Sequence, residues 1–169
     1  DSEMEWAIKF GRDLPNKLKV GAMVETPSLA FSIDSLKGKA DFLSIGTNDL
    51  MQFFFAADRD NARLSGRYDL LSRPAMRLLQ RMRQRADEAE LPITVCGEAA
   101  GRPLEALALV AIGYRRLSMQ ASRIAPIKLL IRSVEMERLA PRVQAALDGG
   151  EQSIRNAMLS VVDEFGLKI

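Results

Sequence analysis

The sequence predicts an α/β fold, a parallel sheet made from four strand–helix units. Three observations predict it. Short apolar segments alternate with segments whose apolar residues recur at helical spacing. The apolar segments are short and apolar rather than alternating, as strands covered on both faces are. Polar residues gather just after them, at Glu25, at Asn48 and Asp49, at Cys96 and Glu98, and at Gln120, where a parallel barrel places its chemistry. With right-handed crossovers, the chain is either an open doubly wound sheet or half of a barrel. A complete eight-fold barrel needs about 250 residues, and this chain has 169.

The elements follow in order. Glu3 to Leu14 reads as a helix with Trp6, Ala7, Phe10 and Leu14 on one face, broken by Pro15-Asn16. Lys19 to Glu25 is a short buried strand. Thr26 caps a helix beginning at Pro27, with Leu29, Ala30, Ile33 and Leu36 on one side and Gly38 as its stop. Asp41 to Gly46 is the second strand, ending in the polar Thr47-Asn48-Asp49. Met51 to Asp58 is apolar and helix-like, and Arg59 to Asp69 is a polar loop. Pro74 to Glu90 is a strong helix with Ala75, Met76, Leu79, Met82 and Ala86 along one face. Pro92 opens the third strand, Ile93 to Glu98, and Ala99 to Arg102 form a loop. Pro103 starts a helix that Gly113 ends. Arg116 to Met119 is the fourth strand. Helices are expected from Pro126 to about Glu137, from Pro141 to Leu147 and from Glu151 to Phe165. The chain divides into a leading helix (1–18), a section bearing the strands and their polar ends (19–124) and C-terminal helices (125–169).

Composition narrows the function. Hydrophobic residues make up 47%, enough for a core. The 24 basic and 22 acidic residues leave a net charge of +2, which is no nucleic-acid footprint. The histidine count is zero, so no Ser-His or Cys-His pair, no histidine-held zinc and no phosphohistidine can form on this chain. One cysteine excludes an internal disulfide and a multi-cysteine metal site. No apolar run approaches the roughly 20 residues of a membrane span. Asp1-Ser2-Glu3-Met4-Glu5 is unlike a signal peptide, and a reducing cytoplasm is the expected setting. Any metal must be held by oxygen ligands, which favours magnesium or manganese.

Glu25 and Asp49 stand at the ends of neighbouring strands, where two carboxylates can hold one Mg2+ ion and leave its other positions to water and substrate. Such an ion neutralises a phosphate or carboxylate and stabilises an enolate. Asn48 and the Arg59 guanidinium suit anionic substrate oxygens. Cys96 suits a proton donor or nucleophile. Plainer readings stand beside these: a lone strand-end glutamate is more often a surface residue, and a lone buried cysteine inert core. The ladder Arg73, Arg77, Arg81, Arg85 reads as a solvated helix face rather than a docking site. Phe53-Phe54-Phe55 reads as core or subunit contact, and the methionines as core fillers.

Three segments carry a resemblance. They are Gly21-Ala22-Met23-Val24-Glu25-Thr26-Pro27; Phe42 through Phe53, leading into Ala57-Asp58-Arg59-Asp60-Asn61; and Cys96-Gly97-Glu98-Ala99-Ala100-Gly101-Arg102-Pro103. In this order and spacing they closely resemble the phosphoenolpyruvate-utilising enzymes, nearest the enzyme I group of phosphoenolpyruvate–protein phosphotransferases. Phe53-Phe54-Phe55 and Leu104-Glu105-Ala106-Leu107-Ala108-Leu109 are similar to its nitrogen-related form. The resemblance runs from about Lys19 to Ile131. It implies the second half of a (β/α)8 TIM barrel that binds phosphoenolpyruvate and Mg2+. Glu25 and Asp49 match the family's metal ligands, Asn48 and Arg59 its phosphoenolpyruvate contacts, and Cys96 the residue that protonates the enolate carbon to give pyruvate. Gly97 and Glu98 match the supporting turn. The phosphoryl group then passes to a histidine on another domain and on to a carrier protein of the HPr type.

Two departures are local: Ser72-Arg73-Pro74 stands where many members have His-Pro, and Gln120 where small residues or Asn are usual. Two are large. The first half of the barrel, with two more phosphate-binding arginines, lies outside this sequence, as do the phosphohistidine and carrier-binding domains. The start within a strand–helix series is that expected of a piece of a longer protein. The chain alone is therefore expected to be inactive, and its open sheet edges to drive homo-oligomer formation. A structural dimerisation fragment and a small Mg-dependent lyase or aldolase acting on pyruvate are the alternatives.

Overall fold

A computed structural model describes residues 2–58, 61, 63–64, 69–150, 152–167 and 169. Three short strands, β1 (Gly21–Val24), β2 (Phe42–Gly46) and β3 (Ile93–Cys96), form a parallel sheet in chain order. Ala22 lies beside Leu43 and Leu43 beside Ile93; one row further on, Val24, Ile45 and Val95 stand side by side. The expected fourth strand is reduced to one parallel bridge, Leu117 to Val95, made by Ser118 N–H to Val95 O (2.8 Å) and Val95 N–H to Arg116 O (3.1 Å). Its neighbours Arg116 and Ser118 are exposed, so little packing extends the ladder.

The strands are covered on one face, not on both. Val24, Leu43, Ile45, Ile93 and Val95 are buried beneath the helices, whereas Met23 and Phe42, in the alternate rows, are 49% and 37% exposed. Successive strand residues point to opposite faces, so the same register that builds the core leaves an open apolar face. Gly21 is needed there: a Cβ would collide with the Phe42 ring.

Eight helices among the described residues surround the sheet: α1 (Ser2–Lys9), α2 (Pro27–Phe31), α3 (Thr47–Phe54), α4 (Arg73–Glu88), α5 (Pro103–Ala111), α6 (Ala121–Arg132), α7 (Met136–Asp148) and α8 (Arg155–Glu164). The first ends five residues short of Leu14 and buries nothing. Thr26 caps α2 as expected, accepting Leu29 N–H (3.5 Å). A short 3-10 helix, Ile33–Leu36, follows. The five expected face residues of α4 are all buried. Pro126 and Pro141 lie inside α6 and α7 rather than opening them. Each removes one donor, a loss borne where the helix is mostly exposed: Pro126 and the five residues before it in α6 face solvent.

The arginine ladder of α4 is not simply solvated. Arg73 donates to Gly149 O and Arg77 to Leu147 O (3.1 Å), so both satisfy carbonyls at the C-terminus of α7. Arg85 pairs with Asp34 (3.7 Å). Tyr114 is fully buried, its hydroxyl donating to Leu79 O (2.8 Å); burial pushes its ionisation above the ordinary range.

A polar cluster joins the C-terminal helices to the sheet's connections. Arg155 pairs with Asp69 (2.7 Å) and with Glu105 (2.9 Å), and Asp69 also accepts Leu71 N–H (2.9 Å) and the Ser153 hydroxyl (3.0 Å). Burial alone would raise the Asp69 pKa, but the hydrogen bonds from Arg155, Leu71 and Ser153 together hold it below the ordinary 3.8. A carboxyl lowered on folding stabilises above its unfolded pKa and loses that contribution as pH falls through the folded value. Asp69→Asn is expected to cost about 2 kcal/mol at pH 7. The gap to the native chain should shrink as pH falls below about 4, measured by urea unfolding at a series of pH values; a gap that stays constant to pH 2 contradicts this.

Candidate functional site

The C-terminal ends of the strands form the site. Parallel register pairs Val24 with Ile45 and Gly46 with Cys96. Glu25 therefore comes next in the row of Gly46 and Cys96, on the open face that Met23 also occupies. Gly46 leaves the space Glu25 uses: a Cβ there would stand 2.5 Å from Glu25 Oε1 and 2.6 Å from its Cγ. The half-buried carboxylate thus lies across a bare stretch of backbone beside Cys96.

No loop follows β2. Helix α3 starts at Thr47, directly after Gly46, so Asn48 and Asp49 stand in its first turn rather than on a strand tip. Eight residues of α3 place the positive end of their dipole at the strand ends. Thr47, given no role of its own among the polar residues after the second strand, is buried and ties the site together: its hydroxyl donates to Cys96 O (2.9 Å). Asn48 Oδ1 lies 3.6 Å from where a Gly97 Cβ would be. Asn48 and Asp49 are both half-buried, and Asp49 has interactions of its own.

Cys96 is a half-buried free thiol, and its Sγ–H donates to Ile45 O (3.1 Å). Gly97 follows at φ +113°, a backbone that L side chains rarely adopt, and a Cβ would also strike Thr47 Oγ1. Glycine is needed there for both reasons. Glu98 opens the 3-10 turn Glu98–Gly101, is exposed, and lines a cleft of about 230 Å³ with Arg102, Gln120 and Arg123.

The structure therefore brings Glu25, Cys96, Gly97 and Asn48 to one rim, with Asp49 on the same helical turn as Asn48. Glu98 stands at its edge. Arg59 lies outside the described residues. The donor set fits Mg2+. Glu25 and Asp49 would offer hard carboxylate oxygens, and Mg2+ is ordinarily held by one or two carboxylates with substrate oxygens and waters completing its octahedron. Among the described residues no group of three or more His, Cys, Asp and Glu side chains is placed to hold a metal. No helix among them is long and apolar enough to cross a membrane.

Comparison with known proteins matches the chain to a family. The model of the PEP-utilising enzymes' PEP-binding domain matches residues 5–136. A Salmonella typhimurium protein named for the phosphoenolpyruvate-dependent phosphotransferase system is 40% identical over 121 residues, covering 72% of this chain and 16% of the relative. A phosphoenolpyruvate-protein phosphotransferase of Borreliella burgdorferi is 39% identical over 137 residues (78% and 24%). Its namesake in Latilactobacillus sakei is 32% identical over 165 residues (98% and 28%). The chain thus spans between 16% and 28% of the length of these relatives.

Gly46→Ala tests the carboxylate's seat. The added methyl should displace Glu25 and lower Mn2+ affinity at least tenfold, read by electron paramagnetic resonance in the full-length protein, with little loss of stability. Unchanged Mn2+ affinity would show that Glu25 holds no metal.

Proposed function

The chain belongs to the PEP-utilising enzymes through their PEP-binding domain, and on that premise we propose that it is part of a phosphoenolpyruvate–protein phosphotransferase. The observation that carries this reading is the row Glu25–Gly46–Cys96. A carboxylate is seated on bare backbone beside a thiol, at one end of a parallel sheet. The chain supplies the last four strand–helix units of an eight-fold barrel. Support comes from strands that neighbour one another in chain order, and from the open apolar face, where further strands would complete an interior. In the parent protein, residues 1–18 lead into the barrel, 19–124 carry its chemistry and 125–169 close it. The nitrogen-related form is proposed from the wording at Phe53-Phe54-Phe55 and Leu104 to Leu109.

Each side chain then has a task. Glu25 and Asp49 would hold Mg2+, which when bound supplies positive charge for the substrate's phosphate and carboxylate oxygens. The first turn of α3 presents Asn48 to an anionic oxygen, its dipole favouring negative charge; Arg59 takes the same role as a bidentate donor. As the phosphoryl group leaves for a histidine on another domain, the methylene carbon of the substrate gains electron density. The Cys96 proton, held on Ile45 O in the resting geometry, passes to that carbon, giving pyruvate. The thiolate left behind regains a proton from solvent. Gly97 permits the turn that aims the sulfur, Glu98 supports it, and Thr47 fixes its carbonyl. The phosphoryl group moves on to a carrier of the HPr type. The setting is the cytoplasm, and the parent associates with itself through exposed apolar residues such as Phe53 and Leu129.

The full-length protein should transfer the phosphoryl group of labelled phosphoenolpyruvate to histidine and release pyruvate in equal amount. Glu25→Gln and Asp49→Asn should each slow this at least 100-fold, about 3 kcal/mol of barrel-end charge stabilisation. No transfer by the native full-length protein refutes the assignment. By calorimetry, the 169-residue chain alone should bind phosphoenolpyruvate poorly or not at all, since the two further arginines expected of the family lie outside it; micromolar affinity would contradict that.

A further inference from the structure

Arg155 is the first residue of α8, 59 positions beyond Cys96 by sequence number. Its guanidinium nevertheless touches the segment that leads into α4 and the first turn of α5. Nη2 donates to Asp69 Oδ1 at 2.7 Å and to Glu105 Oε1 at 2.9 Å, and Nε reaches Asp69 Oδ2 at 3.4 Å. Asp69 lies at the end of the connection from α3, the helix whose first turn holds Asn48 and Asp49. Glu105 stands in the first turn of α5, which follows the Cys96–Gly101 turn directly.

The burial is unequal and informative. Glu105 is 4% exposed, and Arg155 is its ion-pair partner. A carboxylate so far from water needs its cation, since an unpaired buried charge is strongly destabilising. The other end is equally fixed. Leu71 N–H and the Ser153 hydroxyl hold Asp69, and Ser153 Oγ accepts Arg155 N–H (3.2 Å). Arg73 N–H to Gln152 O (2.8 Å) and Ile154 N–H to Leu71 O (2.9 Å) lay the two segments side by side. Neither connection can shift against the other without breaking a charge-assisted bond.

A guanidinium is a planar fork with donors in fixed directions, whereas an ammonium is a point charge on a flexible stem. One guanidinium bonded to two connections fixes the separation between them. One of them follows α3, whose first turn presents Asn48 and Asp49, and the other follows the turn that presents Cys96. Displacement of reacting groups by about 1 Å can cost on the order of 100-fold in rate. From this geometry we infer that Arg155 is a positioning residue for the strand-end site, setting the α3 side against the Cys96 turn; the inference rests on the function proposed above.

Arg155→Lys in the full-length protein tests it, because lysine keeps the charge and loses the fork. A residue that only stabilises the fold would lower the active fraction, reducing kcat and leaving KM as it was. The positioning role instead raises KM for phosphoenolpyruvate about tenfold in protein that remains folded by circular dichroism. Unchanged KM overturns it. If the native protein turns over no phosphoenolpyruvate, the function reading fails, and hydrogen exchange decides the inference by itself. Amides of Ser72–Arg73 and of Ala100–Arg102 should then exchange about tenfold faster in Arg155→Lys, with those of β2 unchanged. Acceleration of only one segment, or of every amide equally, overturns the inference.

Discussion

One absent side chain organises this molecule's chemistry. Parallel pairing places Glu25, Gly46 and Cys96 in a single row, and adjacent side chains in such a row compete for the same space above the sheet. Gly46 withdraws from the competition, and the Glu25 carboxylate occupies the vacancy. The immediate start of α3 then turns Asn48 and Asp49 to that end of the sheet. A second bare position, Gly97, allows the chain to reverse past Thr47 and keeps the cysteine turn close. The side chains gathered there are polar, but what seats Glu25 and the cysteine turn is the lack of two Cβ atoms.

Much of this was legible in the amino-acid order. The three strands, the Thr26 cap, the buried face of α4 and the strand-end positions of Glu25 and Cys96 follow from local pattern, and the structure places them accordingly, whereas Asn48 and Asp49 stand in the first turn of α3. Local pattern also misled. Pro126 and Pro141 read as helix starts because proline favours first turns, yet both helices begin upstream and run through them. Unbroken apolar strands suggested burial on both faces, whereas Met23 and Phe42 occupy an open one. Their apolar character fits an interior that other strands would complete. The Asp69–Arg155–Glu105 cluster had no sequence signal at all, since its members stand 86 and 50 positions apart.

The arginines of α4 meet carbonyls and carboxylates alike. Arg73 donates to Gly149 O, and Arg77 to Leu147 O while lying 3.9 Å from the Asp148 carboxylate. Arg85, further along the same face, has a conventional partner in Asp34, and Arg83 one in Asp87. The arginines of this helix thus combine two tasks, closing neighbouring helix ends and pairing with acids. The balanced composition, 24 basic against 22 acidic residues, hides that combination.

The position of the single tryptophan has a practical corollary. Trp6 sits on a helix with no buried residue, its ring 4.6 Å from Phe10 and beneath the Arg12 guanidinium. Its fluorescence is therefore a reporter of the leading segment, already in contact with solvent in the native state. Melting of the sheet and its helices would leave that emission almost unmoved, while near-ultraviolet dichroism from the sealed Tyr114 ring would register it. An optical titration followed through the indole alone would mistake the fraying of one short helix for the behaviour of the whole molecule.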